Sequence, residues 1–481
     1  MQLRNKNIFR QQCYVNGKWI DADNKKTFPV ENPFDQSILG TVPECGASET
    51  QRAIDAAQTA FEQWRMLTAK QRSEIMWRWA ALIDENKDDL ATLMTLEQGK
   101  PITEARGEID YSNSFVKWFA EEGRRVYGDI IPAVKPNQHL LVIKQPLGVV
   151  GAITPWNFPT AMITRKCAPA IAVGCTVVIK PAEDTPFSAL ALAVLAEQAG
   201  FPPGVINVVT GIPEKIGGEL TSNPLVKKIS FTGSTAVGKL LMQQSASTVK
   251  KISLELGGNA PFIVFDDADL DAAVQGAMAS KFRNTGQTCV CANRIFVQDK
   301  VYDTFAEKLS VAVKKLKLGN GLNADSQQGP LINQDALKKV EMHIADATKK
   351  GAKIFCGGKV SSQGKLFFEP TILTDVTTKM LISKEETFGP VAPLFRFNAD
   401  EEAVRMANDT EFGLASYFYS RDIHRVWRIA EALEYGMVGV NAGIISTEVA
   451  PFGGVKESGM GREGSKYGVD DYVEIKYICM E

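Results

Sequence analysis

Apolar and polar positions change their period along this chain, and each change predicts a different element. Between residues 148 and 233, short apolar runs rich in Val and Ile alternate with longer runs rich in Ala and Leu. This alternation is typical of parallel βαβ units with buried strands. We expect strands at 148–153, 176–179, 205–209 and 228–231, with crossover helices at 161–173 and 188–198. The pattern indicates a sheet of the dinucleotide-binding type.

A second alternation begins at residues 261–265 and continues to residue 440. It predicts a helix at 269–282 and a strand at 294–297. We therefore expect a second α/β domain. Residues 49–122 have apolar positions at steps of three and four, which predicts amphipathic helices that cover the first sheet. This cover is expected to add helices but no functional motif.

Two further apolar segments fit neither domain. They lie at residues 140–145 and 471–478, and the second alternates strictly, as a half-buried strand does. Exposed strand edges of this kind favour pairing with another chain. The pattern alone leaves two alternatives open, a flap on the same subunit or an element that joins subunits.

Length and charge narrow the class of protein. A single hydrophobic core stops growing at about 250–300 residues, so 481 residues predict two or three domains. With 54 Lys and Arg against 56 Asp and Glu, no basic excess favours nucleic acid or a membrane surface. Residues 1–10 lack the apolar run of a secretory signal, and the weakly polar run 167–179 is shorter than the ~18 residues of a spanning helix. We expect a soluble, cytoplasmic protein.

The eight cysteines show neither a disulfide framework nor the spacing of a metal site, so reduced thiols and no metal are expected. Cys289 stands out because it lies in a polar, Gly-containing segment after a helical run. A free thiol has a pKa of about 8.5, so a nucleophilic cysteine needs help from its surroundings. Glu255 is the candidate base. Its alternative interpretation is a structural carboxylate beside a glycine turn.

The words around these two residues carry a family resemblance. Residues 282–293 read FRNTGQTCVCAN and residues 255–259 read ELGGN. They resemble the active-site signature of NAD(P)-dependent aldehyde dehydrogenases, most closely the succinate-semialdehyde dehydrogenases. The resemblance implies an α/β fold with a Rossmann-type NAD(P)-binding domain at 1–126 and 147–256 and a catalytic domain at 257–445. Residues 127–146 and 446–481 would form a small β oligomerisation hairpin and tail, giving a homodimer or homotetramer.

The segment TPWNFP at 154–159 is the first of four further motifs. Alone, Asn157 is typical of a Pro-flanked turn. The resemblance makes it an amide donor to the oxyanion that forms when sulfur attacks a carbonyl, with the backbone N–H of Cys289 as the second donor. Loss of one such donor typically lowers kcat by about 10²–10³. Thr154 and Trp156 are assigned, with Asn157, to the cofactor side.

The second motif, KPAEDTP, follows the strand predicted at 176–179, and dinucleotides bind at the carboxyl ends of such strands. Lys180 would reach the adenosine ribose or phosphate, with Pro181 and Ala182 beside it. Glu183 can accept hydrogen bonds from ribose hydroxyls and repels a 2′-phosphate. We therefore expect NAD to be favoured, with NADP possible as a cofactor. The alternative for Glu183 is a solvated loop carboxylate.

The remaining two motifs complete the predicted cofactor site. Gly233 and Ser234 open a helix, where free backbone N–H groups favour a pyrophosphate. The resemblance adds Leu256, and it places Glu386 on the nicotinamide ribose and Phe388 against the nicotinamide. Without the resemblance, the sequence would suggest a surface charge for Glu386 and a core aromatic for Phe388. The cofactor is then expected in the cleft between the domains.

These parts predict one reaction. The Cys289 thiolate attacks an aldehyde, hydride leaves to NAD(P)+, and Glu255 activates the water that hydrolyses the thioester. The predicted substrate is succinate semialdehyde; glutarate semialdehyde and a broader aldehyde range are the alternatives, because one methylene is worth only about 1–3 kcal/mol. A cysteine hydrolase would need a histidine base, and the three histidines lie in no motif. A non-catalytic role leaves the motifs unexplained.

Substrate choice points to a carboxylate, which an arginine can hold in bidentate geometry. Arg165, Arg283 and Ser446 match the positions that succinate-semialdehyde dehydrogenases use for this purpose. Alternatively, each arginine pairs with a structural carboxylate. Cys291 is a candidate redox partner of Cys289, although a Cys-x-Cys disulfide is strained and a packing role is the alternative.

Overall fold

The computed structural model describes residues 3–481; residues 1 and 2, which belong to the predicted first domain, lie outside this range. The strands are β1 (Cys13–Val15), β2 (Lys18–Ile20), β3 (Thr27–Glu31), β4 (Ile38–Pro43), β5 (Asp129–Ile131), β6 (His139–Pro146), β7 (Val149–Ile153), β8 (Thr176–Lys180), β9 (Ile206–Val208), β10 (Val226–Thr232), β11 (Lys251–Glu255), β12 (Ala260–Val264), β13 (Ala292–Gln298), β14 (Lys353–Cys356), β15 (Thr371–Thr374), β16 (Val391–Phe397), β17 (Ala415–Tyr419), β18 (Met437–Val440), β19 (Gly459–Met460) and β20 (Val473–Met480). The helices are α1 (Ala47–Trp64), α2 (Ala69–Glu85), α3 (Lys87–Gln98), α4 (Ile102–Glu122), α5 (Ala161–Val173), α6 (Pro186–Ala199), α7 (Pro213–Ser222), α8 (Thr235–Ser245), α9 (Leu270–Lys281), α10 (Asp299–Val313), α11 (Gln334–Lys349), α12 (Asp400–Asn408) and α13 (Ile423–Ala432).

The first sheet has the strand order β19-β11-β10-β7-β8-β9-β1-β2. Its central strands are parallel and their apolar residues are buried, as the Val- and Ile-rich runs predict. The chain runs from β7 to β8 on one side, while β10 lies on the other side of β7. The strand order therefore reverses next to β7, and ligands of doubly wound sheets bind at such a point.

Strand register aligns the predicted motifs at this edge. Ile153 pairs with Lys180 on one side of β7 and with Phe231 on the other, while Thr232 pairs with Glu255. The carboxyl ends of four neighbouring strands therefore carry all the first-domain motifs.

The second sheet has the order β14-β15-β16-β13-β12-β17-β18, and only the pairing of β14 with β15 is antiparallel. It presents the opposite ends of its strands to the cleft. Residues 257–259 precede β12, residues 283–291 precede β13, and residues 385–390 precede β16. The cleft therefore lies between the carboxyl edge of one sheet and the amino edge of the other.

Helices α1–α4 form the predicted cover of the first sheet. The indole of Trp64 donates to the carbonyl of Ile171, and that of Trp79 donates to the carbonyl of Leu192. Both rings are buried, so the apolar faces of α1 and α2 are fixed against α5 and α6. The α/β class and the second α/β domain are confirmed by the two sheets.

A third, antiparallel sheet contains β5, β6 and β20, with a register from Val473–Pro146 to Met480–His139. Its exposed side chains include Ile130 and Ile475, which are 85% and 70% exposed. Within residues 446–481, β19 pairs with β11 at the edge of the first sheet, while β20 pairs with β6. Within residues 3–481, no helix is both long and apolar enough to cross a membrane.

Candidate active site

Cys289 lies in the loop between the 3₁₀ turn Arg283–Gly286 and β13. The turn contains two non-glycine residues with left-handed backbone, Asn284 (φ 49°) and Thr285 (φ 59°). Such strain persists only where neighbours hold it. Glu104 of α4 accepts from the Asn284 backbone N–H at 2.8 Å, and the Thr285 hydroxyl donates to the Gly329 carbonyl at 3.0 Å. The nucleophile loop is therefore held from α4 and from the catalytic domain.

The thiol of Cys289 lines the cleft and is partly exposed. Burial raises its pKa to about 12, while the positive charges of Arg165 and Arg283 act in the opposite direction. A Cβ at Gly258 would lie 2.4 Å from the Cys289 carbonyl oxygen, so only glycine allows the ELGGN turn to support the loop this closely. Burial therefore favours the protonated resting thiol, whereas the two arginine charges favour the nucleophilic thiolate.

Asn157 follows β7 and is hydrogen-bonded to the nucleophile loop. Its side-chain amide donates to the Gln287 carbonyl at 3.0 Å, and its own carbonyl accepts from the Asn284 side chain at 2.9 Å. These bonds cross from the first domain to the second. They place the Asn157 amide beside the segment that carries Cys289, as an oxyanion donor requires.

Asn157 is also held by a buried ion pair between Lys100 and Glu108. No sequence motif indicated this pair. The Lys100 ammonium donates to Glu108 at 2.5 Å and to the Asn157 carbonyl at 2.7 Å, and both charged side chains are 1% exposed. The other Glu108 oxygen accepts from the backbone and hydroxyl of Thr160, each at 3.0 Å. Although the helical cover carries no predicted motif, α4 holds both halves of the site through Glu104 and Glu108.

Glu255 is the last residue of β11 and is buried. Neither of its carboxylate oxygens has a hydrogen-bond partner within the described part of the chain. Burial raises the pKa of Glu255 well above its usual range, and the charge of Glu463 raises it further, against the opposing charges of Arg165 and Lys166. The carboxyl is thus held in its neutral form and gains base strength when it ionises.

Arg165 forms an ion pair inside the protein. Its guanidinium forms a buried ion pair with Glu463, and Lys166 donates to the same carboxylate at 2.6 Å. The guanidinium also lies over the Phe452 ring, 4.1 Å from its centroid. This ion pair agrees with the alternative interpretation, in which Arg165 pairs with a structural carboxylate. At least one edge of its guanidinium is therefore not available to the carboxylate of a substrate.

Arg283 is the free cation of the predicted substrate set. It is partly buried, it lies 5.4 Å from the centroid of the Phe158 ring, and it forms no ion pair among residues 3–481. Its charge reaches Cys289. Ser446 lies partly buried in the loop after β18.

A cavity of about 380 Å³ joins the two sheet edges. It brings together most of the predicted catalytic and cofactor residues, namely Trp156, Asn157, Gly233, Ser234, Leu256, Cys289, Glu386 and Phe388. Sequence reasoning missed Thr232, Gly257 and Lys339 in the same lining. Thr232 had a usable signal, because it ends a predicted parallel strand; Lys339 on α11 had none.

A second cavity, also of about 380 Å³, shares Ile332 and Asn333 with the first. Glu183 lines it and is 42% exposed. The Lys180 ammonium pairs with Glu183, and the Lys180 carbonyl accepts from the Thr154 backbone at 3.1 Å. Pro181 and Ala182 are buried in the turn between them.

The two residues predicted to contact the nicotinamide half of the cofactor, Glu386 and Phe388, line the first cavity. Glu386 accepts from the Gly258 backbone at 3.3 Å, and burial raises its pKa to about 8. Phe388 has a left-handed backbone (φ 54°) and meets the Trp156 ring edge-to-face at 5.5 Å. His343 of α11 supports this loop through the Thr387 hydroxyl at 3.1 Å.

The residues of the cleft fit a nicotinamide dinucleotide. Two buried hydroxyls at the strand ends, those of Thr154 and Thr232, have no hydrogen-bond partner within the described residues. The amino end of α8 follows Gly233 and supplies unpaired backbone N–H groups. A polar, extended ligand along this edge would satisfy both sets.

Cys291 is not among the residues that line the cavity containing Cys289. It is fully buried and is 3.3 Å from the Lys281 ammonium. Its thiol therefore contacts a cation rather than Cys289 in this conformation.

The fold and this site define the class of the protein. The profile of the aldehyde dehydrogenase family matches residues 19–478, and the chain belongs to that family. The predicted family and enzyme class, an NAD(P)-dependent aldehyde dehydrogenase, are confirmed.

Individual relatives are similar along their whole length. A glutarate-semialdehyde dehydrogenase of Pseudomonas aeruginosa is 63% identical over 480 residues, which cover 100% of this chain and 99% of that protein. The succinate-semialdehyde dehydrogenase [NADP(+)] of Escherichia coli is also 63% identical, with 100% of both chains covered. A crystal structure of an E. coli NADP-dependent enzyme matches with a TM-score of 0.99, 63% identity and full coverage of both chains.

Proposed function

We propose that this protein oxidises succinate semialdehyde to succinate with reduction of NAD(P)+. The observation that carries the proposal is Arg283, a cation that forms no ion pair within residues 3–481 and lies in the same loop as the nucleophile Cys289. An aldehyde held by its far carboxylate on Arg283 presents its carbonyl toward the thiol. The relatives named for succinate and glutarate semialdehyde support a substrate of this kind.

In the proposed mechanism, the Cys289 thiol first loses its proton to solvent, and the thiolate attacks the aldehyde carbon. The resulting oxyanion accepts hydrogen bonds from the Asn157 amide and the Cys289 backbone N–H. NAD(P)+, when bound in the cleft, accepts the hydride. The acyl group is left on Cys289 as a thioester. Glu255 then takes a proton from the water that attacks this thioester, and the acid and the free thiol are released.

The cofactor contacts remain part of the proposal. Lys180 and Glu183 would hold the adenosine ribose, and Gly233 and Ser234 the pyrophosphate. Glu386 would hold the nicotinamide ribose. Thr154, Trp156, Pro181, Ala182, Leu256 and Phe388 would shape the remaining walls.

Replacing Arg283 tests the substrate assignment. Arg283→Ala should lower kcat/KM for succinate semialdehyde by more than tenfold, because loss of one partner of a desolvated charge pair costs about 2–5 kcal/mol. Butanal, which lacks the carboxylate, should lose little. Arg421→Ala is the matched control, since Arg421 pairs with Asp269 on the surface of the same domain. Equal losses on both aldehydes would remove Arg283 from substrate recognition.

Glutarate semialdehyde is the alternative substrate, since relatives with either name are 63% identical to this chain. Its extra methylene changes the transition-state energy by about 1–3 kcal/mol at most. A panel of succinate semialdehyde, glutarate semialdehyde and butanal should rank the two acids above butanal. A ranking of glutarate semialdehyde above succinate semialdehyde would favour the alternative.

We further propose that NAD is preferred over NADP, although one close relative is named for NADP(+). Glu183 supports this preference because its partly exposed carboxylate lines the cavity at the carboxyl end of β8. The ion pair with Lys180 weakens the repulsion of a 2′-phosphate but leaves the ribose acceptor in place. Glu183→Gln should move the NAD/NADP ratio of kcat/KM toward NADP, whereas Glu31→Gln, in the same cavity, should not. A wild-type preference for NADP would refute the proposal.

Finally, we propose a cytoplasmic homodimer or homotetramer assembled through the sheet of β5, β6 and β20. Its exposed Ile475 and Tyr477 support this, at 70% and 59% exposure. Light scattering of the double variant Ile475→Lys with Tyr477→Lys should show a smaller particle. Ile354→Lys, at another exposed strand position, is the control. An unchanged mass in the double variant would exclude this sheet as the contact.

A further inference from the structure

Helix α4 presents one continuous face to the active site. Glu104, Glu108 and Tyr111 are spaced by four and three residues, so their side chains lie on the same side of the helix. Glu104 binds the Asn284 backbone and Glu108 binds the Thr160 backbone. Tyr111 is therefore the next side chain along a face whose first two members already contact the site.

Contacts on either side fix the position of Tyr111. The neighbouring Ser112 hydroxyl lies 3.0 Å from the Thr164 hydroxyl, and Thr164 directly precedes Arg165 on α5. The Tyr111 ring meets Phe115 edge-to-face, with centroids 4.9 Å apart. The ring therefore lies at the α4–α5 contact, beside Arg165, and has little freedom to turn.

The Tyr111 hydroxyl is buried beside the Arg165 guanidinium, which can donate to its oxygen, but its own O–H proton has no acceptor among residues 3–481. A buried, unsatisfied donor is costly and is uncommon in native proteins unless a ligand or water completes it. Burial raises the pKa of Tyr111, and the charges of Arg165 and Arg283 act against this rise. The hydroxyl thus stays protonated between two cations.

These surroundings favour one kind of ligand. Two nearby arginines attract an anion, and a phenolic O–H can donate only to an acceptor. Because Glu463 already occupies one edge of Arg165, an incoming carboxylate needs a further donor besides Arg283. A neutral aldehyde tail offers no acceptor to this hydroxyl.

We propose that Tyr111 is a substrate-specificity residue whose hydroxyl donates a hydrogen bond to the distal carboxylate of the aldehyde, alongside Arg283. This inference rests on the proposed function. It adds a neutral donor from the helical cover to the arginine on the nucleophile loop. The preference for acidic over neutral aldehydes then depends on both elements.

The test compares Tyr111→Phe with wild type on succinate semialdehyde and butanal. A hydrogen bond to a charged group is expected to be worth about tenfold or more in kcat/KM. The loss should appear with succinate semialdehyde and stay within about twofold with butanal. Tyr302→Phe is the matched control, since its hydroxyl is bonded to Leu394 and Asp375, away from the cleft.

Inhibition by the products provides a second measurement that does not depend on turnover. Succinate should bind more weakly to Tyr111→Phe than to wild type, whereas butanamide, which carries no carboxylate, should bind equally to both. Parallel losses on succinate semialdehyde and butanal, or an unchanged succinate inhibition constant, would overturn the role of Tyr111. A wild-type enzyme without preference for succinate semialdehyde over butanal would instead overturn the proposed function itself, so the two failures are distinct.

Discussion

Lys100 allows a sharp test of how the oxyanion donor is held. In Lys100→Met, a side chain of similar length replaces the ammonium that donates to Glu108 at 2.5 Å and to the Asn157 carbonyl at 2.7 Å. The Asn157 backbone carbonyl then loses one of its two hydrogen bonds and keeps the one from Asn284, while the side-chain amide keeps its bond to Gln287. The variant therefore loosens Asn157 without changing any atom that contacts the aldehyde.

The size of the effect follows from burial. Removing one member of a buried ion pair costs about 3–5 kcal/mol of stability. Glu108 keeps its bonds from Thr160 and Ala161, so we expect the lower end, about 3 kcal/mol. Complete loss of an oxyanion donor lowers kcat by about 10²–10³. A displaced rather than deleted Asn157 should lower it by about 10–100-fold.

The assay measures kcat with succinate semialdehyde and the unfolding free energy in denaturant. Lys87→Met is the matched control, because Lys87 pairs with Asp110 at 2.6 Å but is exposed, and such pairs are worth about 0–1 kcal/mol. In the double variant Lys100→Met with Glu108→Gln, no unpaired charge stays buried, so stability should partly recover while kcat stays low. A Lys100→Met enzyme with kcat within twofold of wild type would show that Lys100 does not hold the donor.

Three further predictions concern the catalytic residues. Glu255→Gln should retain a burst of reduced cofactor but lose steady-state turnover, because only thioester hydrolysis needs the base; full turnover would remove its assigned role. Since the charge of Glu463 raises the pKa of Glu255, Glu463→Gln should lower that pKa and shift the rising limb of the kcat–pH profile to lower pH, and an unshifted profile would exclude this coupling. Hydrogen peroxide can oxidise Cys289 to a sulfenic acid, which the Cys291 thiol can then attack with release of water. The activity of wild type should therefore recover fully with dithiothreitol after long exposure to peroxide, and that of Cys291→Ser only partly. Identical recovery would exclude a protective disulfide between Cys289 and Cys291.

Much of the fold follows from local pattern. The helix predicted at 161–173 has those bounds in the structure, and the central strands of the first sheet differ from prediction by at most two residues at either end. The amino-terminal strands β1–β4 were missed. They are short, and β3 contains Pro29 and exposed Thr27 and Glu31. Their alternation of apolar and polar residues is therefore too short to predict a strand. Their pairing depends on tertiary contacts instead.

The site residues likewise fall into two groups, those that local sequence identifies and those that it does not. Cys289, Asn157 and Glu255 lie in motifs of local sequence, and the structure brings the three segments together. Lys100, Glu108 and Glu463 could not be found, because a charged residue at a helical or loop position usually faces solvent. Only the folded chain shows that Lys100 and Glu108 are buried against each other and that Glu463 is buried against Arg165 and Lys166. The sequence left open that Arg165 pairs with a structural carboxylate, but it could not name Glu463 as the partner, since the two residues are almost 300 positions apart.

The contact of α4 with the nucleophile loop limits how this enzyme can be recombined with its relatives. A crossover at the predicted domain boundary, near residue 257, would take Glu104 from one parent and Asn284 from the other. Chimeras of this design should fold as two sound domains and yet lose activity whenever the parents differ on the facing surfaces. Exchanging α4 together with residues 283–291 keeps the contact between Glu104 and Asn284 intact. The set of residues that must be exchanged together to preserve the active site is therefore larger than the motifs of either domain.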